Sequence, residues 1–294
     1  MLLWLDEYKR SLKLPEVEEI FDLVLFRPVA FLLVKLLLPT AITPNHVTLV
    51  AMVFGVAGAW LFSWGIPGAL VGGALLFSIY NVLDCVDGQL ARLKGNGTRL
   101  GRIMDGIIDY IVNIALYIFL AIGLSRTSAD PVGAWILALL AGVSSGVQAI
   151  LFDYYRNEFL GSVFGHEDAT NQDIRRFSAE VARLRRRGIW TPRRVLITIY
   201  LLYLTVQKRL GGRAAMLHRQ ISPEQYYRSN KTLVRMWSFI GSTSHVTLLL
   251  VTALIHRLDL YLWITVTLGN AWMFFLMILQ YRTEQALIAQ RLPE

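Results

Sequence analysis

The sequence predicts an all-α, polytopic membrane protein. It has a six-helix transmembrane bundle, an N-terminal interfacial amphipathic helix, and a basic cytoplasmic insert between spans 4 and 5. Three observations carry this reading. Hydrophobic residues fill 55% of the 294 positions and charged residues only 17%, against roughly 25% charged in a typical soluble domain. The mean hydropathy is +0.48. Lysine and arginine gather in particular connecting segments instead of spreading along the chain.

The N-terminal segment, 1–43, opens on Asp6, Glu7, Lys9, Arg10, Lys13, Glu16, Glu18 and Glu19 with no central apolar block, so no cleavable signal peptide is expected. Between Pro28 and Pro39 lies an apolar run that contains Lys35. It is too short for a hydrocarbon core that needs about 20 residues, which predicts a helix lying along the headgroups. Thr43-Pro44-Asn45-His46 reads as a turn and helix start, with Asn45 a candidate cap.

Segment 44–155 then holds four spans, at 47–64, 68–90, 101–124 and 132–153. Segment 232–294 holds two more, at 233–255 and 259–281, and a C-terminal tail. Gly68 and Gly72, like Gly142 and Gly146, form small-xxx-small pairs that let helices approach closely. The second pair could equally serve a homodimer.

Segment 156–231 is the basic insert. From Arg156 to Lys231, 15 Lys/Arg face 6 Asp/Glu, and these account for the whole net charge of +8. Such a loop on a membrane protein meets anionic headgroups, so membrane lipids and not nucleic acid are the expected partners. Val195 to Val206 is apolar but short, with Arg193-Arg194 and Lys208-Arg209 at its ends. It is read as interfacial or packed on the bundle. The asymmetry of Lys and Arg between the two sides places both termini, the insert and the 92–102 loop in the cytoplasm.

One stretch carries the chemistry. Asp84, Asp87, Asp105 and Asp109 fall at the ends of two membrane-length helices, where carboxylates are functional by default. Asp84 and Asp87 share one helical face, and Asp105 and Asp109 another. The short connection Lys94 to Thr98 makes the two helices antiparallel neighbours, so the four groups are expected to converge. Four carboxylates at close quarters cannot all ionise without cations. With oxygen ligands alone, Mg²⁺ or Mn²⁺ is the expected ion, and a two-metal site on a pyrophosphate is the natural use. Gly88 and Gly101 would let a phosphate or nucleotide approach the backbone, with Arg92 nearby.

The pattern Asp84-x₂-Asp87-Gly88-x₂-Ala91-Arg92-x₈-Gly101-x₃-Asp105-x₃-Asp109 resembles the full signature of the CDP-alcohol phosphotransferases, and all eight specified positions match. The resemblance covers roughly 28–155 and the last two spans, and leaves most of the insert unexplained. It implies that Asp84, Asp87 and Asp105 ligate metal and that Asp109 is both a metal ligand and the catalytic base. It also implies that Gly88, Ala91 and Gly101 line the cytidine site, that Arg92 meets a donor phosphate, and that Asn45 and Thr48 touch the nucleotide. The implied reaction is transfer of a substituted phosphate, foremost phosphatidyl from CDP-diacylglycerol, to a polar alcohol acceptor with release of CMP. Two other readings compete: an intramembrane prenyltransferase, whose Asp-rich helices also bind Mg-pyrophosphate, and a non-catalytic lipid-binding scaffold. Arg156, Asn157, Arg228 and Lys231 are candidates for a phosphorylated acceptor or for headgroup anchoring.

Overall fold

The computed structural model describes residues 2–12, 16–164, 167–186, 191–210 and 221–289, all helical or connecting. The tail 290–294 and parts of the basic insert, among them Arg187, Arg213 and Arg219, lie outside the described residues. In chain order the helices are α1 (Leu2–Ser11), α2 (Arg27–Leu37), α3 (Pro44–Phe62), α4 (Pro67–Lys94), α5 (Arg99–Thr127) and α6 (Pro131–Phe164). There follow α7 (Glu167–Arg186), α8 (Pro192–Leu210), α9 (Pro223–Trp237), α10 (Ser242–Leu254), α11 (Leu258–Ile264) and α12 (Asn270–Ala289). A π-turn, Thr265–Gly269, joins the last two into one apolar stretch.

Among the described residues five helices are long and apolar enough to cross a membrane, or six if the broken pair Pro223–Ile240 and Ser242–Leu254 makes one span. The chain is therefore an all-α polytopic membrane protein. Most of these helices start on a proline, whose missing N–H costs nothing at the first helical position. At α3 the cap is Thr43, not Asn45: Thr43 Oγ1 accepts from the His46 amide and His46 Nδ1 accepts from the Thr43 amide, each at 3.4 Å. This reciprocal pair leaves the Asn45 side chain available elsewhere. α4 ends on Gly95 in the left-handed region (φ 62°), and Thr98 caps α5 through the Gly101 amide at 2.9 Å.

The fifth span is not one helix. A 3₁₀ turn at Ser238–Ile240 and Gly241 interrupt it. The amides freed at the start of α10 are taken by Glu19, whose Oε2 accepts from Thr243 and Ser244 at 3.0 and 3.1 Å. A carboxylate at a helix N-terminus also complements the helix dipole.

The chain divides into two compact units. The first comprises 1–149 and 238–272, and the second 150–237 and 273–294. In the first unit α3 packs along both α4 and α5. Among the described residues α4 and α5 make no extended backbone contact with each other, although a short connection joins them. The reason lies in the small residues of α3. A Cβ at Gly55 would stand 2.7 Å from Val112 and 3.1 Å from Tyr80, and one at Gly58 would stand 3.0 Å from the Gly73 carbonyl. Close approach thus falls at Gly55, Gly58 and Gly73. Of the pair expected to pack, Gly72 would bring a Cβ to 3.2 Å from Leu61 of α3, while Gly68 has nothing within 4 Å.

The N-terminal segment closes on α4 through buried polar contacts. Arg27 pairs with Glu18 at 2.7 Å, and Gln89 donates to the Arg27 carbonyl at 3.3 Å. Asp22 accepts from Thr243 at 3.0 Å, and burial pushes its carboxyl up from the ordinary value. In the second unit α7 and α8 pack together, with Phe177 edge-on to Tyr200. Tyr155 stacks on Trp237 at 4.5 Å, and Gln280 donates to Asn230 at 3.0 Å.

Overpacking a helix crossing of this kind costs about 1–3 kcal/mol. Gly58→Leu is therefore expected to lower the thermal unfolding midpoint in detergent, while Gly68→Leu leaves it within the error of the wild type. Equal midpoints for the two variants would contradict this packing.

Candidate active site

α4 and α5 each deliver carboxylates to the gap that α3 holds open between them. Asp84, Asp105 and Asp109 each offer one oxygen, and the three oxygens lie within 4.8 Å of one another. All three residues are partly buried. Oxygens on opposite sides of a six-coordinate magnesium ion stand about 4.2 Å apart, so a divalent cation fits this donor set. The chemistry fits too, since three anionic oxygens converging without a cation repel one another.

Asp87 lies outside that trio. Its Oδ2 accepts from the Thr48 hydroxyl of α3 at 2.5 Å, and Thr48 also reaches the Pro44 carbonyl at 3.1 Å. The expected four-way convergence thus resolves into a three-carboxylate group and a neighbour held by α3. Asp87 and Asp105 nevertheless face one cleft of about 80 Å³. Asn45, Thr48, Gly88, Ala91 and Gly101, all assigned to a nucleotide from sequence, line the same cleft.

The glycines there have a visible reason. A Cβ on Gly101 would lie 2.7 Å from Asn45 Oδ1 and 3.1 Å from Thr98 Oγ1, so glycine at this position lets Asn45 reach the cleft. A Cβ on Gly88 would meet the Arg92 guanidinium at 3.5 Å. Arg92 itself is anchored by donating from Nε to the Ser11 carbonyl at 2.5 Å. Its Nη2 is buried without a partner among the described residues.

On the other side of the carboxylates opens a larger cavity of about 360 Å³. It starts at Asp84 and Asp109 and runs along α5 past Asn113 to Tyr117, with Gly142, Ser145 and Gly146 of α6 opposite. Gly146 faces open space, and Gly142 sits against the Tyr117 ring. The small-xxx-small pair on α6 thus borders a cavity. Tyr80 links the cavity to the carboxylates by donating from its hydroxyl to Asp109 Oδ1 at 2.7 Å.

Sequence reading missed Tyr80, although it stands one turn before Asp84 and so shares its face. It also assigned nothing to His245, which lines the cavity. The acceptor candidates Arg156, Arg228 and Lys231 all belong to the second unit. There Arg156 pairs with Asp153 at 2.8 Å, Arg228 with Glu224 at 2.6 Å, and Lys231 lies over the Tyr227 ring.

Comparison with known proteins agrees with the eight-position signature. The family model described as CDP-alcohol phosphatidyltransferase matches residues 41–218, more than half of the chain. Phosphatidylinositol phosphate synthase of Corynebacterium glutamicum is 38% identical over 95 residues, 32% of this chain and 40% of that protein. Its Mycobacterium tuberculosis counterpart is 37% identical over 82 residues, 28% of this chain and 36% of that protein. The bifunctional IPC transferase and DIPP synthase of Thermococcus kodakarensis is 30% identical over 123 residues, 42% of this chain and 27% of that protein. The chain thus spans less than half the length of the curated relatives it matches. With the signature, the carboxylate trio and the glycine-lined cleft in one helical unit, the chain belongs to the CDP-alcohol phosphatidyltransferase family.

Proposed function

We propose that the protein is a membrane-embedded phosphotransferase of phospholipid synthesis. It moves a phosphatidyl group from CDP-diacylglycerol to an acceptor alcohol and releases CMP. The observation that carries this reading is the meeting of two compartments at one carboxylate trio: a small cleft lined by Asn45, Thr48, Asp87 and Asp105 on one side, and on the other a larger cavity that runs between apolar side chains of α5 and α6. A CDP-lipid has that same division, a nucleotide joined to a lipid through a diphosphate. The matched relatives named as phosphatidylinositol phosphate synthases favour a polyol phosphate as acceptor.

In this reading Asn45, Thr48, Gly88, Ala91 and Gly101 seat the cytidine, and Arg92 faces a donor phosphate across Gly88. Asp84, Asp105 and Asp109 would hold one divalent cation, and Asp87 with Asp105 would hold a second on the cleft side. When bound, Mg²⁺ or Mn²⁺ supplies charge neutralisation for the diphosphate. Asp109 takes the proton of the acceptor hydroxyl as that oxygen bonds to the phosphorus distal to cytidine. The bond from this phosphorus to the CMP oxygen breaks, and CMP leaves. The Tyr80 hydroxyl holds the Asp109 carboxylate in orientation. Positioning and electrostatics dominate such a transfer, since little covalent chemistry is left to the protein.

Charge asymmetry supports a cytoplasmic active site and cytoplasmic termini. α2 is read as the interfacial helix. It buries Ala30, Phe31 and Val34 and exposes Val29, Leu32 and Leu36, so an apolar face remains for lipid. The basic insert is read as lying against anionic headgroups, and a homodimer through the membrane helices belongs to the same reading.

CMP release from CDP-diacylglycerol tests the proposal, with glycerol 3-phosphate, myo-inositol and myo-inositol 1-phosphate as acceptors. Release that requires Mg²⁺ or Mn²⁺ and stops on chelation is expected; no release with any acceptor would overturn the reading. Asp109→Asn is expected to lower turnover by at least about 10²–10⁴-fold, the scale of a general base, with the thermal midpoint retained. Gly101→Ala pushes a methyl against Asn45, so a raised KM for the CDP-lipid is expected, with less effect on the KM of the acceptor. Equal effects on both would remove Gly101 from the nucleotide cleft.

A further inference from the structure

The large cavity contains a polar position that the carboxylate chemistry does not use. His245 lines it from α10, within the first unit. Its Nε2 is 3.0 Å from Gln148 Oε1, while its Nδ1 is buried and has no partner among the described residues. A buried ring nitrogen without a partner is uncommon and asks for an explanation.

The surrounding hydrogen bonds settle which nitrogen carries the proton. Gln148 Nε2 lies 3.1 Å from the Thr265 carbonyl and 2.9 Å from Asn270 Oδ1. A carbonyl oxygen only accepts, so the Gln148 nitrogen must be the atom facing it. Asn270 is fixed in the same way, since its Nδ2 donates to Ser144 Oγ and the Val266 carbonyl, each at 2.9 Å. Gln148 Oε1 therefore points at His245 and can only accept, so His245 Nε2 is the donor. In the neutral imidazole the other nitrogen, Nδ1, is then a lone-pair acceptor. Three side chains from two other elements hold the ring in this tautomer.

We infer that His245 is a positioning residue for the substrate in this cavity, accepting a hydrogen bond at Nδ1 from a hydroxyl group other than the reacting one. The inference rests on the proposed phosphotransferase reading. An acceptor nitrogen does not bond the ester carbonyls of a diacyl lipid, which have no hydrogen to give. It bonds a hydroxyl. The adjoining wall suits such a group, for Tyr117 and Tyr261 share a 2.7 Å hydroxyl contact and the Tyr261 ring stands edge-on to His245. Asn81, which lines the cavity on α4, also has its Nδ2 buried without a partner among the described residues, and supplies a donor where His245 supplies an acceptor. The cavity thus discriminates substrates by a second hydroxyl. Removing the matching group from a ligand leaves a buried polar atom unpaired, which is how such sites reject analogues.

The hydroxyl could belong to a soluble polyol or to the lipid, and the experiment separates these sources. CMP release by the full-length protein is measured with glycerol 3-phosphate against 3-hydroxypropyl phosphate, which lacks the second hydroxyl. The same is done with myo-inositol 1-phosphate against its single-deoxy forms. A second arm compares plain CDP-diacylglycerol with a donor bearing a hydroxylated acyl chain. The wild type is expected to favour the hydroxyl-bearing member of at least one pair by about tenfold in kcat/KM. His245→Phe is expected to abolish that preference, and His245→Asn, which keeps an acceptor, to restore part of it. Loss in the first arm assigns the hydroxyl to the polyol, and loss in the second assigns it to the lipid. Preferences in both arms that His245→Phe leaves unchanged, or no wild-type preference in either, would overturn the inference alone. A wild type that releases no CMP at all overturns the phosphotransferase reading and this inference with it.

Discussion

Three carboxylates on two apolar helices must share a small volume without burying their charge unaided, and the helical unit is arranged around that demand. Asp84, Asp105 and Asp109 meet across a gap between α4 and α5. The gap exists because α3 carries both helices on its small-residue face, where Gly55 and Gly58 let it close on Val112, Tyr80 and Gly73. Bulk on α3 would move the carboxylates through the helices that carry them. The tight packing of one helix thus sets the spacing of charges on two others, in keeping with membrane bundles that use small residues for close approach.

The polar groups around the trio divide the space on either side of it. Thr48 draws Asp87 toward α3 and the cleft with Asn45 and Gly101. Tyr80 ties Asp109 to the larger cavity. Each side chain is fixed by a neighbour on a rigid helix, which is the arrangement that phosphoryl transfer rewards, since orientation and charge placement supply most of the catalysis. Glu19 extends the same logic to the N-terminal segment, where its carboxylate starts α10 and so sets the place of His245.

Much of the site was legible in the sequence because it depends on spacing within two helices. The i, i+3 and i, i+4 intervals of Asp84, Asp87, Asp105 and Asp109 fix their faces once the helices are assumed, and apolar length identifies the spans. What escaped depends on partners far along the chain. The break at Gly241 is tied to Glu19, and Asp87 leaves the trio for Thr48; neither has a local signal. Asn45 reads as a cap from composition, yet Thr43 and His46 perform that task and leave Asn45 facing the cleft. His245 carries no local signal because Gln148, Thr265 and Asn270, which set its tautomer, come from other helices.

In the proposed reading Asp84, Asp105 and Asp109 would hold a divalent cation between a nucleotide cleft and a lipid cavity. Electron paramagnetic resonance of Mn²⁺ titrated into the purified protein tests it directly. The account predicts saturable loss of the free Mn²⁺ signal, tightened by CDP-diacylglycerol, and abolished in the triple variant Asp84→Asn, Asp105→Asn, Asp109→Asn. A free Mn²⁺ signal that the protein does not reduce, or equal binding by the triple variant, would contradict it.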